Sequence, residues 1–242
     1  MENLVIFSGE QVLELAFVAR TPVGHPFLFG DEQAVGIPDF YIAATQVTQA
    51  LWQFIMDDNP SLYRGNALPV EQVSWYQAQV FIEKLNQKSG RDFRLPTETE
   101  WEYAARGGEH WKDGFRFAGS NDMAESGWYE ANAGPYTDLA MIRQLKNQAK
   151  LTQTHPVGRK KPNQLGLYDM NGNLWEWCQD WFVRDTSLIP KDGSAYNVPG
   201  EAKVLRGGCH HNWAEHCTNT KRYEIGPQFL DGCIGFRLAL TQ

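Results

Sequence analysis

Helical periodicity ends at Gly107–Gly108, and that boundary limits what this chain can fold into more than any other feature. Before it, apolar residues recur at three- and four-residue spacing. Beyond it lies more than half of the 242 residues, frequent in Gly, Pro, Asn and Asp and carrying at most period-two runs. A few helices followed by short strands and much loop are expected.

Three helix starts can be read. Thr48 is a good N-cap, because its hydroxyl can accept from a free backbone N–H of the first turn, and Leu51, Phe54 and Ile55 then share a face. Ser74 caps a second helix with Ala78, Phe81, Ile82 and Leu85 on one stripe and Gly90 as its stop. Thr97 and Glu100 have the spacing of a capping box, followed by Trp101, Ala104 and Ala105. From Trp111 to Pro162 mostly loop is expected, long enough to need a metal or a function to hold it.

The last third reads as strands. Trp175, Trp177 and Gln179 alternate with Glu176 and Cys178, and Val204–Leu205 is a short run ended by Gly207–Gly208. Ile234, Phe236, Leu238 and Leu240 alternate with Gly235, Arg237 and Ala239, which predicts one strand with one buried face, paired with an N-terminal strand near Leu15–Phe17.

Hydrophobic residues make up 42% and charged residues 21%, so disorder over most of the length is not expected. A net charge of −7, with Arg159–Lys160–Lys161 the one obvious basic cluster, argues against nucleic acid as a partner. No run approaches the ~20 apolar residues of a membrane helix. The start, Met1–Glu2–Asn3–Leu4, lacks the features of a signal peptide, so either a cytoplasmic chain or one whose signal has been removed is expected. Cys178, Cys209, Cys217 and Cys233 form no C-x-x-C pair, which speaks against a zinc ribbon; two disulfides are allowed and none is required.

Several motifs together resemble the formylglycine-generating-enzyme/sulfatase-modifying-factor family. They are Phe40–Tyr41–Ile42, Val47–Thr48, Leu68–Pro69–Val70, Arg94 through Glu102, Ala104 through Gly108, Gly166 through Trp177, Arg206–Gly207–Gly208 and Gly235–Phe236–Arg237. They stand in family order from about residue 17 to 240. The resemblance implies one domain over 1–242 with an α+β, C-type-lectin-like fold of short strands, two to three helices and much ordered loop.

Asp169-x-Asn171-Gly172-Asn173-x-x-Glu176 packs oxygen donors around a glycine, as hard cations such as calcium require; an Asn–Gly turn beside a solvated acid is the plainer reading. The resemblance implies calcium held at Asp169, Met170, Gly172, Leu174 and Glu176, some through carbonyls. A second family calcium site would begin at Asn132, where no acidic partner is evident. The family's oxidase holds Cu(I) between two cysteines. Their positions fall here on Asn212 and Cys217, so no copper is expected unless Cys209 or Cys233 lies beside Cys217. His210, His211, His216 and Cys217 match zinc by residue type but by no standard spacing, and the histidines are expected as surface-loop residues.

Between the family-like Arg206–Gly207–Gly208 and Ile234–Gly235–Phe236–Arg237, the segment 209–233 departs from the family. It looks like the variable region of a diversity-generating-retroelement protein, in which an Asn codon (AAC) is randomised at its adenines to His, Tyr, Cys, Ile, Phe, Leu, Gly or Asp; Trp213 and Gln228 need another codon. The resemblance implies a non-catalytic protein that binds an unknown protein or small-molecule ligand. Cys209, His210, His211, Trp213, Glu215, His216, Tyr223, Glu224, Ile225, Gln228, Phe229, Leu230, Asp231 and Cys233 would be its contact residues, and a cell-surface or extracytoplasmic location would follow. A copper oxidase acting on protein cysteines and an undiversified lectin-like interaction module are the alternatives. Neither Glu-Pro-Asn nor Gln-Pro-Asp occurs, so sugar specificity has no support.

Overall fold

A computed structural model describes residues 4–8, 11–134 and 152–241. Part of the long loop expected between Trp111 and Pro162 therefore lies outside the described residues. The N-terminal half supplies β1 (Leu4–Ser8), β2 (Gln11–Val18), β3 (Phe27–Phe29), β4 (Gln33–Val35), β5 (Phe40–Ala43), α1 (Gln49–Met56), α2 (Trp75–Ser89), β6 (Phe93–Arg94), α3 (Glu98–Ala105) and the single turn α4 (Met123–Ser126). The C-terminal part adds β7 (Trp175–Trp181), β8 (Lys203–Arg206), β9 (Arg222–Ile225), β10 (Ile234–Gly235) and β11 (Ala239–Thr241).

The helices start where their caps dictate. Thr48 accepts from Leu51 N; Ser74 with Gln77 and Thr97 with Glu100 form reciprocal capping boxes, and Gly90 closes α2 at φ 66° in the left-handed region. α1 and α2 bury Trp52 and Phe81 as a stacked pair 5.2 Å apart, with Phe236 edge-on to both. The third helix departs from its pattern: every residue from Glu98 to Ala105 is buried, three glutamates included. Buried carboxylates need partners. Arg206, fully buried, reaches Glu98 at 2.9 Å and Glu102 at 2.6 Å; Arg222 grips Glu98 and Arg94 grips Glu100.

The strands form a five-stranded sheet in the order β1-β2-β5-β11-β6, a four-stranded sheet β10-β7-β8-β9 and the β3–β4 hairpin. The single terminal strand expected over 234–240 is two short ones. β10 pairs in parallel with β7, and β11 lies antiparallel between β5 and β6. Its neighbour is β5, not the strand at Leu15–Phe17, because β5 sits between them. Nor does the segment have one buried face: Arg237 is as buried as Phe236 and Leu238, held inside by Glu176. A charged side chain turned inward breaks the strand and carries the chain from one sheet to the other.

Buried asparagines hold the loops that sheets do not. Asn163 Nδ2 donates to the carbonyls of Ala104 and Ala105 at the end of α3. Asn173 makes two bonds to the His155 backbone, and Asn171 bonds Ala118 N and Cys217 O.

Candidate ligand-binding face

The segment 209–233 leaves β8 through two glycines that only glycine can serve. Gly207 (φ 97°) and Gly208 (φ 76°) are left-handed, and a Cβ on Gly207 would sit 2.9 Å from Met170 O. Beyond them the backbone is tied at short intervals. Cys209 N donates to Asn212 Oδ1, Arg206 donates to Asn219 O, and β9 adds a ladder to β8. The return is tied as firmly: Trp75 N donates to Pro227 O, Gln72 N to Asp231 O, and Cys233 N to Asp231 Oδ1.

Side chains on this backbone divide into two sets. Trp213 is 65% exposed, Phe229 and Leu230 51% each and Tyr223 48%; His211, Glu215, His216, Gln228 and Asp231 are also exposed, and Glu224, Ile225 and Cys233 are half-buried. Isolated surface apolar residues are ordinary, but four large ones on one 25-residue segment (209–233) are a concentration. Cys209 and His210 do not belong to this display, contrary to the sequence expectation. Cys209 is 1% exposed and packs in the main core. His210 is buried because its ring fits between Thr152 Oγ1 at 2.9 Å and Gly232 O at 3.3 Å, edge-on to Tyr63.

A cavity of about 280 Å³ opens within the face. Trp175 and Tyr223, stacked at 5.3 Å, form its apolar side with Leu205, Ile225 and Ile234; His211, His216, Asp231, Cys209 and Cys233 supply the polar side. Trp175, Leu205, Asn212 and Ile234 were not among the contact residues read from the sequence. They sit in family-like strands or, for Asn212, in a turn; the pairing of Ile234 with Trp175 and of Leu205 with Tyr223, and the Cys209–Asn212 turn, bring them to the cavity. Apolar walls with a few polar groups are the usual composition of a ligand pocket.

The thiols are placed unequally. Cys217 is fully buried beside Phe117 and Met123, and burial pushes its pKa up to about 12. Its Sγ faces the carbonyl of Cys209 at 3.9 Å, and the copper-position Asn212 accepts from Cys209 N. The Cys209 and Cys233 side chains meet instead. Their hydrogen bond, ahead of burial, holds the Cys233 pKa above its usual range, while His210 Nε2, 3.7 Å from its sulfur, pulls it down. Among the described residues, no three His, Cys, Asp or Glu side chains converge on a metal-sized point, so the four residues that match zinc by type are not assembled as a site.

Of the five residues expected to hold calcium, four are brought together. The carbonyls of Asp169, Gly172 and Leu174 and Oε1 of Glu176 converge, and Gln46 Nε2 occupies their centre at 3.4, 3.5, 3.0 and 3.0 Å. Met170 makes no bond to that nitrogen. Glu176 is already neutralised by Arg237 and bonded by Trp101 Nε1, and the Asp169 carboxylate turns away to Gly158 N. Neither acid is solvated, and burial lifts the Asp169 pKa to about 6. A hard divalent ion needs six to eight oxygens and uncompensated negative charge; with Gln46 in place this set offers four oxygens and one acid already paired with Arg237, and the unpartnered Oδ1 of Asp169 belongs to a carboxylate that is turned toward Gly158. Asn132, where the family's second calcium site would begin, closes a local turn through Tyr129 N and Gly127 O.

A frame of small sheets and ordered loops under one displayed segment defines a C-type-lectin-like α+β protein. The chain matches the Sulfatase-modifying factor enzyme 1-like domain over residues 4–242, and it belongs to that family. It is similar to Treponema denticola variable protein 1, with a TM-score of 0.83 and 28% identity across 99% of both chains. It is 37% identical to the chaperone protein LppX of Paenibacillus barcinonensis, over 73% of this chain and 76% of that one. It is 34% identical to the formylglycine-generating enzyme of Streptomyces coelicolor over 71% of this chain, a match that spans only 52% of that enzyme. Among the described residues no helix is long and apolar enough to cross a membrane.

Proposed function

We propose that this chain is a non-catalytic binding protein whose contact surface is the exposed part of the 209–233 segment, and that this surface is diversified at the gene. One observation carries the reading: Trp213, Tyr223, Phe229 and Leu230 face solvent on one segment, with Tyr223 also lining its cavity, while the backbone beneath them is tied by repeated hydrogen bonds. Aromatic side chains of this kind dominate binding hot spots, and a fixed backbone lets them be exchanged without refolding. The similarity over 99% of the chain to Treponema denticola variable protein 1 supports the same reading. The buried Cys209 and His210 then belong to the frame, and the contact set reduces to the exposed and half-buried residues. Sequencing the DNA beside the gene tests it. A reverse-transcriptase gene and a near-repeat of the 3′ end differing at adenines are expected; finding neither refutes diversification.

The copper-oxidase reading draws on the formylglycine-generating relatives and on the neighbouring Cys209 and Cys233 thiols. Against it stand Asn212 at the first copper position and the burial of Cys217. Incubation with Cu(I), O₂ and a cysteine-containing peptide is expected to give no aldehyde; aldehyde formation would establish the oxidase instead.

A further inference from the structure

We infer that Gln46 is a built-in substitute for a cation: its side-chain amide fills the oxygen ring of the 169–176 loop, so the frame of the binding face needs no calcium. Four oxygens within 3.5 Å of one nitrogen is an arrangement normally made for a positive ion. An amide has two N–H groups. They go to the two nearest acceptors, Leu174 O and Glu176 Oε1, both at 3.0 Å, while the Asp169 and Gly172 carbonyls at 3.4 and 3.5 Å feel the partial charge of the same group. Reversing the amide would put its oxygen against four acceptors, so the network itself fixes which end is nitrogen.

Gln46 is held there from both sides. It is 1% exposed, Ala44 O accepts from Tyr168 N at 2.8 Å, and Val47 N donates to Phe236 O at 3.0 Å. The charge on the ring is also settled without an ion. Arg237 takes both Glu176 oxygens at 2.6 and 2.8 Å and uses its other N–H groups on Ala43 O and Tyr168 O. A glutamine and an arginine therefore divide between them the coordination and the charge that a bound cation supplies to a loop of this kind.

The ring matters for binding because both ends of the 209–233 segment hang from it. Gly172 N donates to Gly207 O, His210 N to Asn173 O, and Trp175 N to Cys233 O, at 2.8, 3.0 and 2.8 Å. Gln46 is thus a positioning residue for a surface it does not touch.

The test is thermal unfolding of the full chain in excess EDTA and in excess CaCl₂, with metal content measured on the purified protein. The same Tm in both solutions and no stoichiometric calcium are expected. A resident calcium at a hundredfold excess over its Kd would raise Tm by about 5–10 °C, and such a rise in the unaltered protein overturns the inference. Gln46→Ala is expected to lower Tm in EDTA; a Tm equal to that of the unaltered protein also overturns it. If that variant does not fold, the EDTA and calcium comparison on the unaltered chain still decides. Neither measurement needs a ligand or a diversified gene, so its outcome is independent of the proposed function.

Discussion

Replacing Arg206 with alanine tests whether the displayed segment rests on a rigid frame. Arg206 is fully buried between β8 and α3, with Glu98 at 2.9 Å, Glu102 at 2.6 Å and Asn219 O at 2.7 Å. The truncation leaves Glu102 with Arg106 at 3.4 Å and Gly30 N as its partners, and Glu98 with Arg222 and Asp180-bound backbone only. Breaking a buried pair by removing one partner costs about 3–5 kcal/mol, which is roughly 6–20 °C in Tm for a chain of this size. The loss should grow with pH. Burial already raises the Glu102 pKa against the pull of Arg206, and without the guanidinium it rises further. An acid whose folded pKa lies above its unfolded value destabilises the fold increasingly as pH climbs from the unfolded value to the folded one. Urea and thermal unfolding at pH 5 and pH 8 would measure this, with the larger deficit expected at pH 8. Hydrogen exchange at residues 207–219 should speed up as well, since Asn219 O loses its donor. A loss under about 1 kcal/mol, equal at both pH values, would refute the account of the frame.

Single Trp213→Ala, Phe229→Ala and Leu230→Ala changes should each cost no more than about 1 kcal/mol of stability, because these side chains are half-exposed or more; each should weaken binding to a captured ligand by roughly 30-fold where it serves as an anchor. Glu71, fully buried by its side chain's surroundings near Tyr63 and Gly232, has a pKa that burial raises to about 8. Stability should therefore fall as pH rises from about 4.5 toward 8, by about 3 kcal/mol at pH 7, and Glu71→Gln should flatten that slope in unfolding experiments. Iodoacetamide labelling of the native chain should modify Cys233 first and leave Cys178 and Cys217 intact, because Cys233 is half-buried at the cavity while those two are fully buried; equal labelling of all four would contradict the placement.

Local signals were legible and long-range ones were not. Thr48, Ser74, Thr97 and Gly90 act within one helical turn of themselves, so their roles can be read from neighbours in sequence. The acids of α3 resemble an exposed face until Arg206 and Arg222, more than a hundred residues away, arrive to pair with them. Arg237 fits an alternating strand by spacing, and its inward turn depends on Glu176. The displayed aromatics were legible because the segment departs from the motifs on either side of it. His210 was misread with them, since nothing near it in sequence announces Thr152 or Tyr63 as its lining. The cation-like place of Gln46 has no local signature at all: its four acceptors lie 123 to 130 residues downstream.

The meeting of Cys209 with Cys233 means that the excursion between them begins and ends at one spot on the scaffold. Its closure is enforced by strands outside it, so the number of residues spent on the way out and back is thermodynamically cheap to alter: doubling a loop adds only about 0.6 kcal/mol of closure entropy. Turns such as Gly226–Phe229 are therefore natural points at which this architecture can accept inserted residues as well as exchanged ones, giving it reach to vary along with chemistry.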